Sequence, residues 1–363
     1  MRLPRLLLAL SLFCRVASLA VEAAPRAAAI VTAEFIHEPS TYPECHASTI
    51  VETTAGELLA AWFGGTAESN PDVCIYVSRY EGGRWTVGVK VADGVQHDAK
   101  RYPCWNPVLF QLRDGPLQLY YKVGPRPETW WGMVITSSDG GRTWDQPRRL
   151  PEGVLGPIKN KPIQLADGTL ISGSSTEEPA TRRWEVHIER STDLGRTWQL
   201  TGPLSSDGKF NSIQPSVLTH ADGRLQILCR SKEKTLTTSW SSDQGLTWSP
   251  LVSSGLFNPN SGSDAVTLAD GRHLLVYNLR QRAGGAPPNI AAAHADWGVR
   301  WPLNVSLSAD GVNWDMRATI EDQPLKHGYA YPAVIQTRDG LIHITYTWNR
   351  VKIKHVVIDP KKL

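Results

Sequence analysis

Ser137-Ser138-Asp139-Gly140-Gly141-Arg142-Thr143-Trp144 recurs as Ser191-Thr192-Asp193-Leu194-Gly195-Arg196-Thr197-Trp198 and again as Ser241-Ser242-Asp243-Gln244-Gly245-Leu246-Thr247-Trp248. Three copies of one eight-residue string mark a repeat architecture. Weaker copies run from Ser78 to Trp85, where Tyr80 takes the Asp place, and from Ser308 through Asp310 to Trp314, one residue shorter. The chemistry of the string is that of a turn. Asp and Ser bond their own backbone, Gly supplies a left-handed position, and Trp packs beneath a sheet. The carboxylates of these boxes therefore read as turn clamps and not as catalysts.

Between the boxes lies a second unit: an apolar run, a turn containing Gly, and a second apolar or alternating run. Residues 46–51 and 58–62 flank Ala55-Gly56, residues 106–110 and 117–121 flank Asp114-Gly115, and residues 161–165 and 170–171 flank Asp167-Gly168. Three more copies turn at Asp222-Gly223, Asp270-Gly271 and Asp339-Gly340. Asp-Gly between such runs predicts a hairpin with both turn residues at positive φ. An inner hairpin followed by an outer hairpin carrying the box makes a four-stranded sheet. Six such sheets predict an all-β, six-bladed β-propeller occupying residues 25–363 as one domain.

Composition agrees. Fourteen Trp, 30 Gly and 25 Pro beside three Met in 363 residues favour turns and sheets over helices. Thirty-eight basic against 35 acidic residues leave a net charge of +3, which excludes a polyanion sponge, so no nucleic-acid partner is expected. Met1 to Arg5 is basic, Leu6 to Phe13 apolar, and Ala20, Ala23 and Ala24 follow. Residues 1–24 thus read as a signal peptide, and the mature chain as secreted or periplasmic. No later apolar stretch nears the roughly 18 residues of a membrane helix, so no membrane insertion is expected. Besides Cys14, the chain has Cys45, Cys74, Cys104 and Cys229. Two disulfides in any of three pairings, or buried free thiols, are both open readings. The absence of C-x-x-C, nucleotide-loop, G-x-S-x-G and H-E-x-x-H patterns leaves no metal or cofactor expected. Asn304-Val305-Ser306 is a glycosylation sequon inside an expected strand.

Chain direction puts the Gly turns and boxes at one end of the blades. Functional residues are then expected at the other end, where first strands begin and second strands finish. That end collects His46, Asp72, Arg101, Trp105, Asn106, Lys122, Lys159, Asn160, Lys161, Ser175, Glu177, Gln214, Arg230, Ser263, Asp264, Asn278, Arg280, Arg300, His327, Tyr329, Tyr331, Trp348 and Arg350. Cations outnumber carboxylates there although the whole chain is nearly neutral. Arginine forks with tyrosines suit a small carboxylated sugar, so an acidic glycan or oligosaccharide is the expected partner and the protein a monomer.

On the box triplet, the six units and the leader, the chain resembles the sialidase (neuraminidase) superfamily of Asp-box propellers. The resemblance implies a hydrolase in which three arginines grip the substrate carboxylate, a glutamate activates a nucleophilic tyrosine, and an aspartate is acid and base. A phenol is favoured because an anionic nucleophile would be repelled by the carboxylate on the anomeric carbon. Carried across, Arg230 and Arg300 match two of the arginines. Tyr329, in Tyr-Ala-Tyr-Pro, matches the nucleophile with Tyr331 as second candidate, and Asp72 matches the acid/base. Two positions depart from the pattern. His46-Ala-Ser replaces the family's Arg-Ile-Pro, and Gln214 replaces the glutamate.

Gln214 can orient a phenol but cannot take its proton. Protonated His46, Lys159 or Lys161 would have to stand in for the missing arginine. Trp105 offers a stacking surface, and Asp264, Glu68 and Glu177 are further loop carboxylates. The implied function is an exo-glycosidase for a terminal sialic acid or a related ulosonic or uronic acid. Two alternatives use the same residues: a lyase acting on uronate glycans through His46, Tyr329 and Lys161, and a non-catalytic carbohydrate-binding propeller using Trp105 and Trp348.

Overall fold

The computed structural model describes residues 29–36, 41–97, 99–279 and 298–363. The leader, Cys14, Asp98 and Arg280 lie outside the described residues. Six sheets surround an axis. Blade 1 runs Glu44–Glu52, Leu58–Gly65, Cys74–Glu81 and Arg84–Trp85, with Val89–Ala92 also pairing with its third strand. Blade 2 is Cys104–Gln111, Leu117–Val123, Trp131–Ser137 and Arg148–Arg149. Blade 3 is Ile163–Gln164, Leu170–Glu177, Trp184–Ser191 and Gln199–Thr201, and blade 4 is Ser212–Thr219, Leu225–Ser231, Thr235–Ser241 and Val252–Phe257. Blade 5 is Asp264–Thr267, His273–Tyr277, Leu303–Ser308 and Asp315–Glu321. Blade 6 takes Tyr329–Gln336, Ile342–Trp348 and Lys352–Ile358 from the end of the chain and Ile30–Phe35 from its start. That early strand pairs antiparallel with the last one and closes the ring.

The inner hairpins turn where expected, but by a different geometry. Gly56, Gly168, Gly223, Gly271 and Gly340 have φ between +82° and +91°, whereas the residue before each does not have positive φ. Each of these glycines donates its N–H to the carbonyl three residues back. A type I turn followed by one left-handed Gly explains this, and in four of the turns the Asp stands third and accepts from the N–H two residues on, so it serves by its carboxylate and not by its own positive φ.

The boxes behave as clamps in blades 2 to 5. In blade 3, Ser191 Oγ donates to Asp193 and accepts from Gly195 N–H, while Asp193 accepts from Arg196 N, Thr197 N and Thr197 Oγ1. Trp198, Trp248 and Trp314 each donate their indole N–H to the box glycine's carbonyl at 3.1 Å. At Gly141 (φ +83°) a Cβ would lie 2.3 Å from a Leu59 methyl, so a side chain there would strain the left-handed turn and push Leu59 of blade 1 aside. In blade 1 the string forms no such clamp: Ser78 Oγ donates to Thr86 O, and Tyr80 packs edge-on against Trp85.

Apolar clusters fill the wedges between neighbouring blades. Leu59, Ala61 and Ile75 of blade 1 pack with Leu109, Leu119 and Ile135 of blade 2, and the same pattern joins blades 5 and 6. Cys45, Cys74, Cys104 and Cys229 are buried and free, so the disulfide reading gives way to packed thiols. Among the described residues no helix is long and apolar enough to cross a membrane.

The box carboxylates carry a pH dependence. Hydrogen bonds from the Thr197 and Thr247 side chains and amides hold Asp193 and Asp243 at about 2. Hydrogen bonds likewise depress Asp139 and Asp310. Because these folded values lie below the unfolded one of about 3.9, their contribution is present above about pH 4 and lost as pH falls towards 2. Thermal melting from pH 6 to pH 2 is expected to show Tm falling mainly below pH 4. A flat profile there would remove the clamp role.

Candidate active site

Four inner strands enter the ring through the same irregularity. Ala47, Asn106, Gln214 and Tyr331 have φ of +55°, +39°, +60° and +53°, and in each case the pairing register slips at that point. Pro107, Pro215 and Pro332 follow three of them, and a proline lacks the N–H that would continue the ladder. The bulge re-aims the residue before it. Asn106, Gln214 and Tyr331 all line one cavity of about 690 Å³ at the end of the ring opposite the boxes.

Tyr331 is the tyrosine of this cavity, and Tyr329 is not. In a regular strand the two would share a face, but the bulge at Tyr331-Pro332 separates them. Tyr329 is 1% exposed, packs edge-on against Tyr346, and donates its hydroxyl to Gln323 O. Its N–H donates to Arg300 O, so it supports the wall from behind. The Tyr331 oxygen instead accepts from Gln214 Nε2 and Arg230 Nη1, both at 3.0 Å. A Cβ on Gly262 would come within 3.1 Å of the Tyr331 ring and 3.2 Å of Lys159. A side chain at Gly262 would press on both rather than pass freely under the tyrosine.

Arg230, Arg300 and Arg350 line the cavity together. Arg230 ends the second strand of blade 4, and its Nε donates to Asn260 Oδ1 at 2.7 Å. The Arg300 guanidinium stands 5.8 Å from the Tyr331 ring centre. Burial, followed by the neighbouring Arg230, brings its pKa down to about 10, so it remains charged at neutral pH. Arg350 follows the second strand of blade 6 and pairs with Glu68. Sequence matching found the first two arginines and sought the third on blade 1, whereas a third comes from the far end of the chain.

His46 does not replace it. The ring is 2% exposed, bonds Thr347 Oγ1 through Nδ1 and packs 4.3 Å from the Tyr331 ring. Burial first, then Arg350, Arg300, Arg230 and Lys159, depresses its pKa well below the usual value, which leaves it neutral. Lys159 and Lys161 are not surface cations either. Lys159 Nζ donates to Asn160 Oδ1, Ser263 O and Pro332 O, tying blade 3 to blades 5 and 6. Burial brings Lys159 to about 7, while three oxygen acceptors match the three donors of its charged form. Lys161 pairs with Asp264 at 2.9 Å, and Asp264 also accepts from Ser216 Oγ and Val334 N. Both therefore belong to the floor and not to the lining.

Asp72 is displaced as well. Its carboxylate accepts from Thr66 N and Oγ1 and does not line the cavity. Although partial burial pushes it up, the Thr66 bonds prevail and hold it below its ordinary value, which is unsuited to a proton donor. Trp105 does line the cavity, but its ring is buried edge-on against Phe63 and Trp130, and its indole donates to Gly124 O. The carboxylates at the cavity are Glu68, Glu128 and Glu177. Glu177 ends the second strand of blade 3, and Trp184 Nε1 donates to its Oε2 at 2.8 Å. Burial raises its pKa, against the opposing effects of Trp184, Arg230 and Lys232. No group of three or more potential ligands for a metal occurs among the described residues.

Residues 56–344 match the BNR repeat-like domain, and the chain belongs to that family. Its fold is similar to that of a Dyadobacter fermentans protein of unknown function, with TM-score 0.72 and 17% identity over 91% of this chain and 98% of the other. It is also similar to the NanB sialidase of Streptococcus pneumoniae, with TM-score 0.68 and 12% identity over 93% of this chain and 71% of the other. The intramolecular trans-sialidase of Ruminococcus gnavus gives TM-score 0.68 and 12% identity, over 91% of this chain and 97% of the other. At such identities the likeness is one of fold. No curated protein matches the sequence.

Replacing Lys159 by Met leaves three buried oxygen acceptors unsatisfied. Urea denaturation is expected to show a loss of about 3 kcal/mol. A loss below about 1 kcal/mol would mean that the ammonium does not hold the floor together.

Proposed function

We propose that the protein is an exported, monomeric exo-glycosidase that removes a terminal acidic sugar, with a sialoside as the first substrate to test. The observation that carries this reading is the convergence of Arg230, Arg300 and Arg350 on the cavity that holds Tyr331. Planar guanidinium forks match a carboxylate, and three of them in a cavity of this size select a small anion over a neutral sugar. Tyr331 stands beside this cluster as the group to meet the anomeric carbon. Both of its side-chain partners are donors, so its proton has to leave to a water in the cavity when its oxygen attacks.

The exchange of the expected glutamate for Gln214 makes this a slower version of the chemistry, or one fitted to a more reactive substrate, because among the described residues the phenol is bonded by Gln214 and Arg230 and by no carboxylate. The elimination reading fares worse. It needs a base that reaches the sugar ring, and His46, though neutral, is buried behind Tyr331 and does not line the cavity. Export rests on the basic and apolar start of the chain, and sequencing the N-terminus of the mature protein tests it.

Release of the fluorophore from an aryl α-sialoside should be followed between pH 4 and pH 8. Tyr331→Phe is expected to lower the rate by at least about a hundredfold. Tyr329→Phe, if it folds, is expected to keep it. Loss in Tyr329→Phe alone would reverse this assignment, and no release by folded wild type would move the substrate away from sialosides.

A further inference from the structure

The central cavity is not isolated. A chamber of about 270 Å³ adjoins it between blades 2 and 3, lined by Trp130, Trp131, Leu150 and Leu155. Another of about 490 Å³ lies beside Trp184, Lys232 and Asn260. Glu128 and Glu177 line all three spaces. An exo-acting site must hold the terminal sugar in one compartment and let the rest of the glycan leave through another. The bond to be cut then lies at the boundary, and the boundary carries these two glutamates.

They differ in how firmly they are held. Glu128 is exposed, on the loop between the second and third strands of blade 2. Glu177 is half-buried at a strand end, with Oε2 fixed by the Trp184 indole. The Arg230 guanidinium lies 5.1 Å from that same indole ring and bonds Tyr331 on its other side. Glu177, Trp184, Arg230 and Tyr331 thus form one connected wall.

Building on the glycosidase reading above, we propose that Glu177 is the proton donor to the leaving group. In this step Tyr331 Oη bonds the anomeric carbon and gives its proton to water. The glycosidic C–O bond breaks, its electron pair stays on the departing oxygen, and that oxygen takes the proton of Glu177. In the return step water attacks the same carbon, Glu177 takes the proton of that water, and the Tyr331 bond breaks to leave a phenolate, which regains its proton from solvent. The burial that raises the carboxyl's pKa favours the protonated form this role requires. Asp72, which the family resemblance points to, is held ionised away from the cavity.

The test compares two leaving groups. A sugar alcohol leaves only when protonated, whereas a nitrophenol leaves as its anion, so loss of the proton donor should separate them. With the full-length mature protein, Glu177→Gln is expected to lower kcat/KM, which reports the bond-breaking step, on α-2,3-sialyllactose by about 10²–10⁴-fold. On 4-nitrophenyl α-sialoside the expected fall is less than about tenfold. Tyr331→Phe should depress both substrates alike, and an unchanged melting temperature in Glu177→Gln would show that the wall is intact. Equal losses on both substrates, no loss on either, or the selective pattern appearing in Glu128→Gln instead would overturn the assignment to Glu177. Wild type that hydrolyses neither substrate would overturn the sialosidase reading itself, and Glu177's role with it.

Discussion

The ring depends on a problem of polar burial at its axis. Six sheets packed by their apolar faces leave the beginnings of the inner strands crowded together, with backbone carbonyls that water cannot reach. Lys159 answers this with one ammonium that satisfies oxygens from blades 3, 5 and 6. Asn160 continues the net to Gln214 O and Ser216 Oγ, and Asp264 closes it through Lys161 and Val334. Such a network stabilises only when complete, since each unsatisfied member would cost about 1–3 kcal/mol. The floor beneath Tyr331 is therefore rigid for reasons of its own, and the site inherits that rigidity.

The same economy accounts for the local charge. The chain is almost neutral overall, yet three arginines face one cavity. Their mutual repulsion is moderated by Glu68 on Arg350 and Asn260 on Arg230, and the Tyr331 oxygen takes a hydrogen bond from Arg230. With a carboxylate on Arg350 and neutral partners on Arg230, the cluster is only partly compensated and gains from an anion.

The fold was legible because its signals are periodic: the boxes and Gly turns repeat, and each repeat votes for the same sheet. The site was legible only in part. Arg230, Arg300, Gln214 and Trp105 could be placed in the cavity from their positions at strand ends. The match of Tyr-Ala-Tyr-Pro to the family's nucleophile segment favours Tyr329, and a strand read at period two, which gives both tyrosines the same face, does nothing to correct it. Asn106-Pro107, Gln214-Pro215 and Tyr331-Pro332 share one signature, and lining up those X-Pro pairs would have pointed to Tyr331. Arg350 and Glu177 carry no such motif. Chain direction puts both at the open end with many other residues, and tertiary packing selects these two for the cavity. Lys159 and His46 misled for another reason: their chemistry suited the ligand, but their burial committed them to the scaffold.

The last blade is built from both ends of the chain, with residues 30–35 laid against residues 354–358. A closed ring has no free edge from which to peel, except at this clasp. Arg350, four residues before the clasp's C-terminal pairing begins at Lys354, stands on the same turn that feeds it, and Cys45 N–H bonds Arg350 O from blade 1. The turn that leads into the clasp thus also carries one guanidinium of the cavity. Residues nearly the whole chain apart therefore meet beside the anion-facing wall, and the seam of the circle runs next to the pocket.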